Sequence, residues 1–141
     1  MTQLILTARC IHALADHEHY LSAEQGITKR IAELIDSCEL PKKKNKYGLV
    51  ECDTDEKGRS KTHLWEAYNA DTECDSGYGM RRYSPDEVEQ YLAESECRHC
   101  ISAYRLIQQR KNIRKELGRA RRSIRRLGKE SVKFLDRVEF E

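Results

Sequence analysis

The chain has 141 residues, of which 38% are hydrophobic and 35% are charged, so it can form one domain with a modest core or a small module plus a long helix. It contains no run of about 18 apolar residues, and the sequence therefore predicts no membrane-spanning helix. The net charge of +2 conceals an asymmetry: residues 104–133 carry 12 basic and 2 acidic side chains, whereas residues 1–103 carry 13 and 19.

Residues 1–40 are predicted to form a helical hairpin. Ser22 followed by Gln25 fits a capping box, which would start a second helix after a break near residues 19–21. Pro41 and the lysines after it would end that helix in a solvated loop. Apolar residues recur at helical spacing in both halves, as Leu4, Ala8, Ile11 and Ala15 and then as Ile27, Ile31, Leu34 and Cys38.

Residues 41–100 are predicted to form a zinc-ribbon-like centre that ends in a short helix. The segments 47–52 and 62–68 are rich in aromatic and β-branched residues and flank a polar stretch, which is typical of a β-hairpin. Two strands alone are marginal in water, so this hairpin needs a metal, a third strand or helix packing. Ser84, Pro85 and Glu87 then provide an N-cap, an N1 proline and a capping box for a helix that runs to about Glu94.

Residues 101–141 are predicted to form a long basic amphipathic helix and a tail, within one structural unit. An apolar stripe with heptad spacing runs along this helix and must pack on something. The partner is either the N-terminal hairpin or a second copy of the chain. In the second case the stripe would form a homodimer interface through Leu106, Ile113, Leu117, Ile124 and Leu127.

The C-x-x-C pair Cys97 and Cys100 brings two thiolates onto one turn, which is half of a tetrahedral zinc site. The N-terminal apolar residues lack a basic n-region and do not fit a signal peptide, so we expect a cytosolic location. Thiols stay reduced there, which favours metal binding over disulfides. We expect Cys52 and Cys74 to complete the Zn²⁺ site, with His63 as a substitute for either. Cys10 and Cys38 fall within apolar helical patterns and are interpreted as small buried residues. A redox C-x-x-C is the competing function, but no βαβ pattern precedes it.

The basic helix is predicted to be the contact surface for a partner. Clustered cations attract a phosphate backbone or an acidic protein surface. The alternative interpretation is that the helix docks on the acidic remainder of its own chain. The sequence contains no Gly-rich phosphate loop and no hydrolase motif, so no enzyme is predicted. The expected contact residues are Arg114, Lys115, Arg119, Arg121, Arg122, Arg125, Arg126 and Lys129.

The segment from Glu96 to Lys111, ECRHCISAYRLIQQRK, and its continuation from Leu117 to Ile124, LGRARRSI, resemble small proteins of tailed phages and prophages of enteric bacteria. Those proteins pair a zinc-ribbon-like centre with a basic C-terminal helix. The resemblance covers about the last two-thirds of the chain. It implies a phage accessory protein that acts in the host cytoplasm, with counter-defence as one role.

The sequence thus predicts an α+β, mostly α fold and a cytoplasmic, non-enzymatic binding protein. Its expected partner is a nucleic acid or a nucleoprotein complex, bound through the basic helix next to a structural zinc site. The alternative is an inhibitor or adaptor that binds an acidic patch on a host or defence protein. A steep salt dependence of binding would favour nucleic acid and a shallow one an acidic protein. The metal content of the purified protein, with cysteine reactivity before and after chelation, would identify the thiols that are ligands.

Overall fold

A computed structural model of the chain describes the backbone of residues 3–140 and the side chains of residues 3–137. These residues form four helices and two small antiparallel hairpins, which confirms the α+β, mostly α class. Residues 1, 2 and 141, which the predicted domain bounds include, lie outside the described residues. No helix in the described part of the chain is both long and apolar enough to cross a membrane.

Helix α1 is one continuous helix over Gln3–Ser37, so the predicted hairpin break near residues 19–21 is wrong. Contacts to the C-terminal helix hold α1 together beyond that point. The Glu24 carboxylate pairs with Arg114 at 3.0 Å, and the Thr28 hydroxyl accepts from Arg110 at 3.3 Å. Tertiary packing therefore overrides the local capping signal at Ser22.

Two short hairpins follow α1. Strand β1 (Lys42–Lys44) pairs with β2 (Val50–Cys52), and β3 (Asp71–Glu73) pairs with β4 (Met80–Arg82). Of the predicted strand 47–52, only residues 50–52 form a strand, and residues 47–49 lie in the turn before it. The partner strand is the lysine run, which the sequence predicts as a solvated loop. The Asn45 side chain accepts from the Tyr47 and Leu49 amides, and this tight turn positions the two strands.

The predicted second strand, 62–68, is instead helix α2 (His63–Asn69). Thr62 is its N-cap, because the Thr62 hydroxyl accepts from the Trp65 amide at 3.1 Å. Leu64 and Ala67, three residues apart, expose 3% and 0% of their surface, so they define one buried helical face. The aromatic content of this segment therefore reflects helix packing and not a β-strand.

Helix α3 (Pro85–Ser95) has the predicted capping box. The Ser84 hydroxyl accepts from the Glu87 amide, and the Ser84 amide donates to the Glu87 carboxylate at 3.2 Å. The C-cap of α3 is Glu96, whose φ of 57° is left-handed, and α4 (Arg98–Phe140) begins two residues later.

The chain divides into two compact units. Unit 1 contains residues 1–28 and 109–141, and Leu6, Ala13 and Leu127 form its buried core, with Ile124 packed against them. Unit 2 contains residues 29–108, and its core includes Leu64, Val88, Leu92 and the thiols of Cys38 and Cys100. The apolar stripe of α4 therefore packs, at Ile124 and Leu127, on α1 of the same chain.

Candidate metal centre and basic helix face

Cys38 lies immediately after the last turn of α1 and is fully buried. Its amide donates to the Ile35 carbonyl at 3.2 Å, which fixes the chain as it leaves the helix. Pro41, three residues further on, is also buried and prevents the helix from continuing. The local sequence thus places a thiol at a rigid helix end.

His63 is the first residue of α2, directly after the Thr62 N-cap. Its Nδ1 atom lies 3.3 Å from Cys38 Sγ. Thr62 exposes only 2% of its surface, so a buried cap holds the start of this short helix and orients the imidazole. The half-buried histidine is thereby directed toward the thiol at the end of α1.

Cys97 and Cys100 flank the first turn of α4. The Ile101 amide donates to the Cys97 carbonyl at 3.0 Å, and the Cys97 amide donates to the Ser95 hydroxyl at 3.3 Å. Cys97 is half-buried, whereas Cys100 is fully buried in the core of unit 2. The turn between α3 and α4 therefore presents both thiols to the same point.

The ligand atoms of Cys38, His63, Cys97 and Cys100 all lie within 4.8 Å of one another. In a tetrahedral zinc site with Zn–S of 2.3 Å and Zn–N of about 2.05 Å, sulfurs are about 3.8 Å apart and sulfur and nitrogen about 3.6 Å apart. The Cys97–Cys38 sulfur distance is 3.8 Å, and the Cys38–His63 distance is 3.3 Å. Three thiols and one imidazole thus fit a four-coordinate metal ion, which is a Cys₃His donor set.

The surroundings of Cys100 favour the neutral form of its thiol. Burial raises the pKa of the Cys100 thiol above its ordinary value, and the neighbouring Cys38 and Cys97 thiols act in the same direction. The Leu64 amide donates to the Cys100 sulfur and partly opposes this rise. Without a metal the buried cluster favours neutral thiols, whereas a bound divalent ion favours the thiolates.

The structure brings together three of the side chains considered as ligands, His63, Cys97 and Cys100. Cys52 and Cys74 are outside the cluster. Cys52 is exposed at the end of β2 and its thiol donates to the Ser60 hydroxyl at 3.3 Å, while Cys74 lies at the turn between β3 and β4. Cys38, which the sequence predicts to be a plain buried residue, is the fourth member of the cluster. All six cysteines are free thiols.

The sequence does not predict Cys38 as a ligand. It belongs to the apolar helical series that starts at Ile27, and that series alone accounts for its burial. A usable signal lies in its position at the helix end before Pro41, since a ligand in a turn is held more rigidly than one in a loop. The sequence predicts Cys52 and Cys74 as ligands because a hairpin over 47–68 would place Cys52 at the end of its first strand and Cys74 in the loop after its second. The helix α2 removes that relation.

The second candidate feature is the cation-rich surface of α4 in unit 1. Of the eight predicted contact residues, Arg114 pairs with Glu24 and Arg119 pairs with Glu116. Within residues 3–137, the other six make no ion pair or hydrogen bond, and all six are exposed. These six are Lys115, Arg121, Arg122, Arg125, Arg126 and Lys129.

Part of this surface forms a row opposite the buried seam of α4. We call Lys111, Lys115, Arg122, Arg125 and Lys129 the outer cationic row. Their spacings of four, seven, three and four keep them on one helical face, while Leu117, Ala120 and Leu127 are buried on the other. At 1.5 Å per residue the row is about 27 Å long.

Comparison with known protein families, curated proteins and solved structures found no match for this chain. The interpretation of both features therefore depends on their geometry.

Proposed function

We propose that this chain is a non-enzymatic binding protein in which a structural Zn²⁺ holds unit 2 together and the outer cationic row binds nucleic acid or a nucleoprotein complex. The observation that carries the proposal is a row of five exposed cations without acidic partners among the described side chains. A role as a phage accessory protein in an infected cell is the setting that the sequence resemblance implies.

Zinc is the metal that best suits the Cys₃His set, since soft thiolates with one imidazole in a tetrahedral arrangement favour Zn²⁺ over Mg²⁺ or Ca²⁺. Catalytic zinc sites use three protein ligands and keep a fourth position for water or substrate. Here four side chains lie close enough to fill the tetrahedron. The donor count therefore supports a structural role for the ion.

Nucleic acid is the partner that best suits the outer cationic row. Double-stranded DNA carries one negative charge per about 1.7 Å of helix axis, so a cationic row about 27 Å long faces many phosphates. No described acidic side chain of unit 1 forms an ion pair with the row, and three of them, Glu24, Glu116 and Glu130, pair with other arginines. The long, regular, exposed charge pattern supports binding to a phosphate backbone without base-specific contacts.

The test is a binding titration with a duplex DNA of about one and a half to two helical turns, single-stranded DNA and duplex RNA at several salt concentrations. The variant carries Lys115→Glu, Arg122→Glu, Arg125→Glu and Lys129→Glu. We expect wild-type affinity to fall steeply with salt and the variant to lose nearly all binding, because counterion release scales with the phosphates neutralised. Circular dichroism checks that the exposed substitutions leave the helix content unchanged.

The matched control reverses four lysines on the β1–β2 hairpin, with Lys42→Glu, Lys43→Glu, Lys44→Glu and Lys46→Glu. It changes the net charge by the same amount but leaves α4 intact. Equal loss in both variants would mean that total charge and not the α4 surface governs binding. Unchanged affinity in the α4 variant, or no binding to any of the three probes at low salt, contradicts the proposal.

A protein partner is the second candidate, and the two hairpin tips favour it. Tyr47 and Leu49 expose 75% and 65% of their surface beside the first turn, and Tyr78 and Met80 expose 87% and 61% at the second. Aromatic residues and methionine are enriched in protein interfaces. If none of the nucleic-acid probes binds, these tips become the first surface to examine for an inhibitor or adaptor function.

A further inference from the structure

The N-terminal half of α1 has a second apolar face that nothing in the described chain covers. Its inner face contributes Leu6 and Ala13 to the core of unit 1, with exposures of 8% and 7%. The opposite face carries Leu4, Ala8, Ile11 and Ala15, which we call the outer apolar stripe. Leu4 is 81% exposed and Ile11 is 62% exposed, and both alanines are exposed as well.

The stripe has the spacing of a helix–helix seam. Its members are separated by four, three and four residues, which is the heptad pattern that buries one side of a helix against another helix. Leu14, 58% exposed, lies at the edge of the same face. A solvent-facing side of a helix is ordinarily polar, so this regular apolar series predicts a helical partner.

The order of large and small residues in the stripe identifies that partner. In an antiparallel pair related by a two-fold axis between residues 9 and 10, Leu4 faces the partner's Ala15 and Ala8 faces the partner's Ile11. Each large side chain then meets a small one, so the stripe is complementary to itself. A two-fold interface requires such self-complementarity.

From this complementarity we propose that the chain forms an antiparallel homodimer through the outer apolar stripe of α1. Two copies of this face would bury on the order of 1,000 Å² in total, about the minimum for a biological interface, so the dimer should be weak and concentration-dependent. The lysines and arginines that usually flank a membrane-surface helix are missing here, since residues 3–20 hold only Arg9. A second copy therefore suits the stripe better than a lipid surface.

The first experiment measures sedimentation of the full chain across a hundredfold range of concentration. We expect the wild type to dimerise and Ile11→Asp to remain monomeric at concentrations at which the wild type is mostly dimer. The control is Val132→Asp on α4, which changes an apolar residue of similar exposure, 58%, outside the stripe. We expect this control to dimerise like the wild type. Circular dichroism of both variants checks that they are folded.

The second experiment tests the antiparallel register by disulfide trapping between Leu4→Cys and Ala15→Cys proteins that retain their metal. We expect rapid cross-linking in a mixture of the two proteins and little in Leu4→Cys alone. In the proposed register the two copies of residue 4 lie about 16 Å apart along the axis, beyond the reach of a disulfide. A parallel dimer would give the reverse result. A wild type that stays monomeric, or an Ile11→Asp variant that still dimerises, overturns the proposal.

Discussion

Cys38 and Cys52 allow the composition of the metal centre to be tested with single sulfur-to-oxygen substitutions. Cys38 Sγ lies 3.8 Å from Cys97 Sγ, whereas Cys52 is exposed and its thiol donates a hydrogen bond to the Ser60 hydroxyl. We expect Cys38→Ser to lower zinc affinity by more than the 10- to 100-fold typical of losing a supporting residue, and to lower the melting temperature. We expect Cys52→Ser to keep one zinc and the wild-type melting temperature.

Chelator competition and a thermal melt measure both effects on the same samples. Retention of full zinc affinity in Cys38→Ser would remove this residue from the ligand set. Loss of zinc in Cys52→Ser would instead support the ligand set predicted from the sequence, in which Cys52 and Cys74 bind the ion together with Cys97 and Cys100.

Tyr91 provides a prediction for alkaline pH. Its hydroxyl donates to Glu66 at 2.6 Å, and this hydrogen bond, together with burial, raises the pKa of Tyr91 from 10 to about 12. Because the folded-state pKa lies above the unfolded value, the stabilisation is complete below pH 10 and is lost as pH rises through 12. We expect Tyr91→Phe to lower the free energy of unfolding by about 1 kcal/mol at neutral pH.

The difference in unfolding free energy between wild type and Tyr91→Phe should shrink above pH 10, as measured by denaturant unfolding. Absorbance at the phenolate band should show that the variant lacks the last tyrosine to ionise. Tyr47→Phe, which alters an exposed ring, is the control and should leave stability unchanged. A difference that grows with pH would contradict the assigned hydrogen bond.

The individual ligands differ in how far the sequence reveals them. Cys97 and Cys100 are recognisable because three-residue spacing places both thiols on one turn whatever the rest of the chain does. His63 is only a substitute in the sequence-based set, since its role depends on whether 62–68 is a strand or a helix. The position of Cys38 at a helix end before Pro41 is a weak signal, because its relation to Cys97 exists only after residues 59 positions apart have packed together.

Among the helices and strands, α3 has a predicted N-cap that the structure confirms, and a single substitution at Ser84 tests how much it contributes to stability. Ser84→Ala removes the hydroxyl that accepts from Glu87, and α3 carries Val88 and Leu92 into the core of unit 2. We expect the free energy of unfolding to fall by about 1 kcal/mol, which is the usual effect of removing an N-cap. For a unit of 80 residues this corresponds to a fall in melting temperature of about 4–8 °C.

Ser84→Asp is the matched comparison, since aspartate also accepts at an N-cap and should restore most of the stability. Neither substitution removes a member of the Arg81–Glu87 ion pair, which is 2.6 Å in the wild type. If the alanine and aspartate variants lost the same stability, the Ser84 side chain would contribute through packing and not through its hydrogen bond to the Glu87 amide.

Local signals predict elements well where packing agrees with them and badly where it does not. The α3 capping box is local and is found as predicted. The similar signal at Ser22 lies within α1, because the Glu24–Arg114 and Thr28–Arg110 contacts stabilise a continuous helix. Residues 62–68 carry strand-like composition, yet the burial of Leu64 and Ala67 at a spacing of three is satisfied only by a helix.

At the scale of the whole molecule, unit 2 is an insertion within unit 1. Residues 29–108 connect the two chain segments that unit 1 needs, 1–28 and 109–141. If unit 2 were unstructured, closing this 80-residue connection would cost about 4 kcal/mol of chain entropy. A folded unit 2 shortens the effective connection, so its stability supports the association of α1 with α4 in unit 1.

Metal removal should therefore affect both units. We expect a strong chelator to abolish amide protection from hydrogen exchange in α2 and also to reduce protection in α4 beyond residue 109, although no ligand lies there. Hydrogen exchange with mass spectrometry at matched pH, with and without added zinc, measures this. Full protection of residues 109–130 after complete zinc loss would show that unit 1 is independent of unit 2.

The wide separation of the four ligands along the chain has a consequence for biosynthesis. Ribosomes add about 5–20 residues per second, so the roughly 60 residues from Cys38 to Cys100 take several seconds to emerge. During that interval the apolar side chains of the nascent α1, including Leu6, Ala13 and Leu34, have no partner helix to cover them. We therefore expect the nascent chain to need shielding of these side chains until its final third has been translated, so that its yield in a cell responds to chaperone supply as well as to zinc.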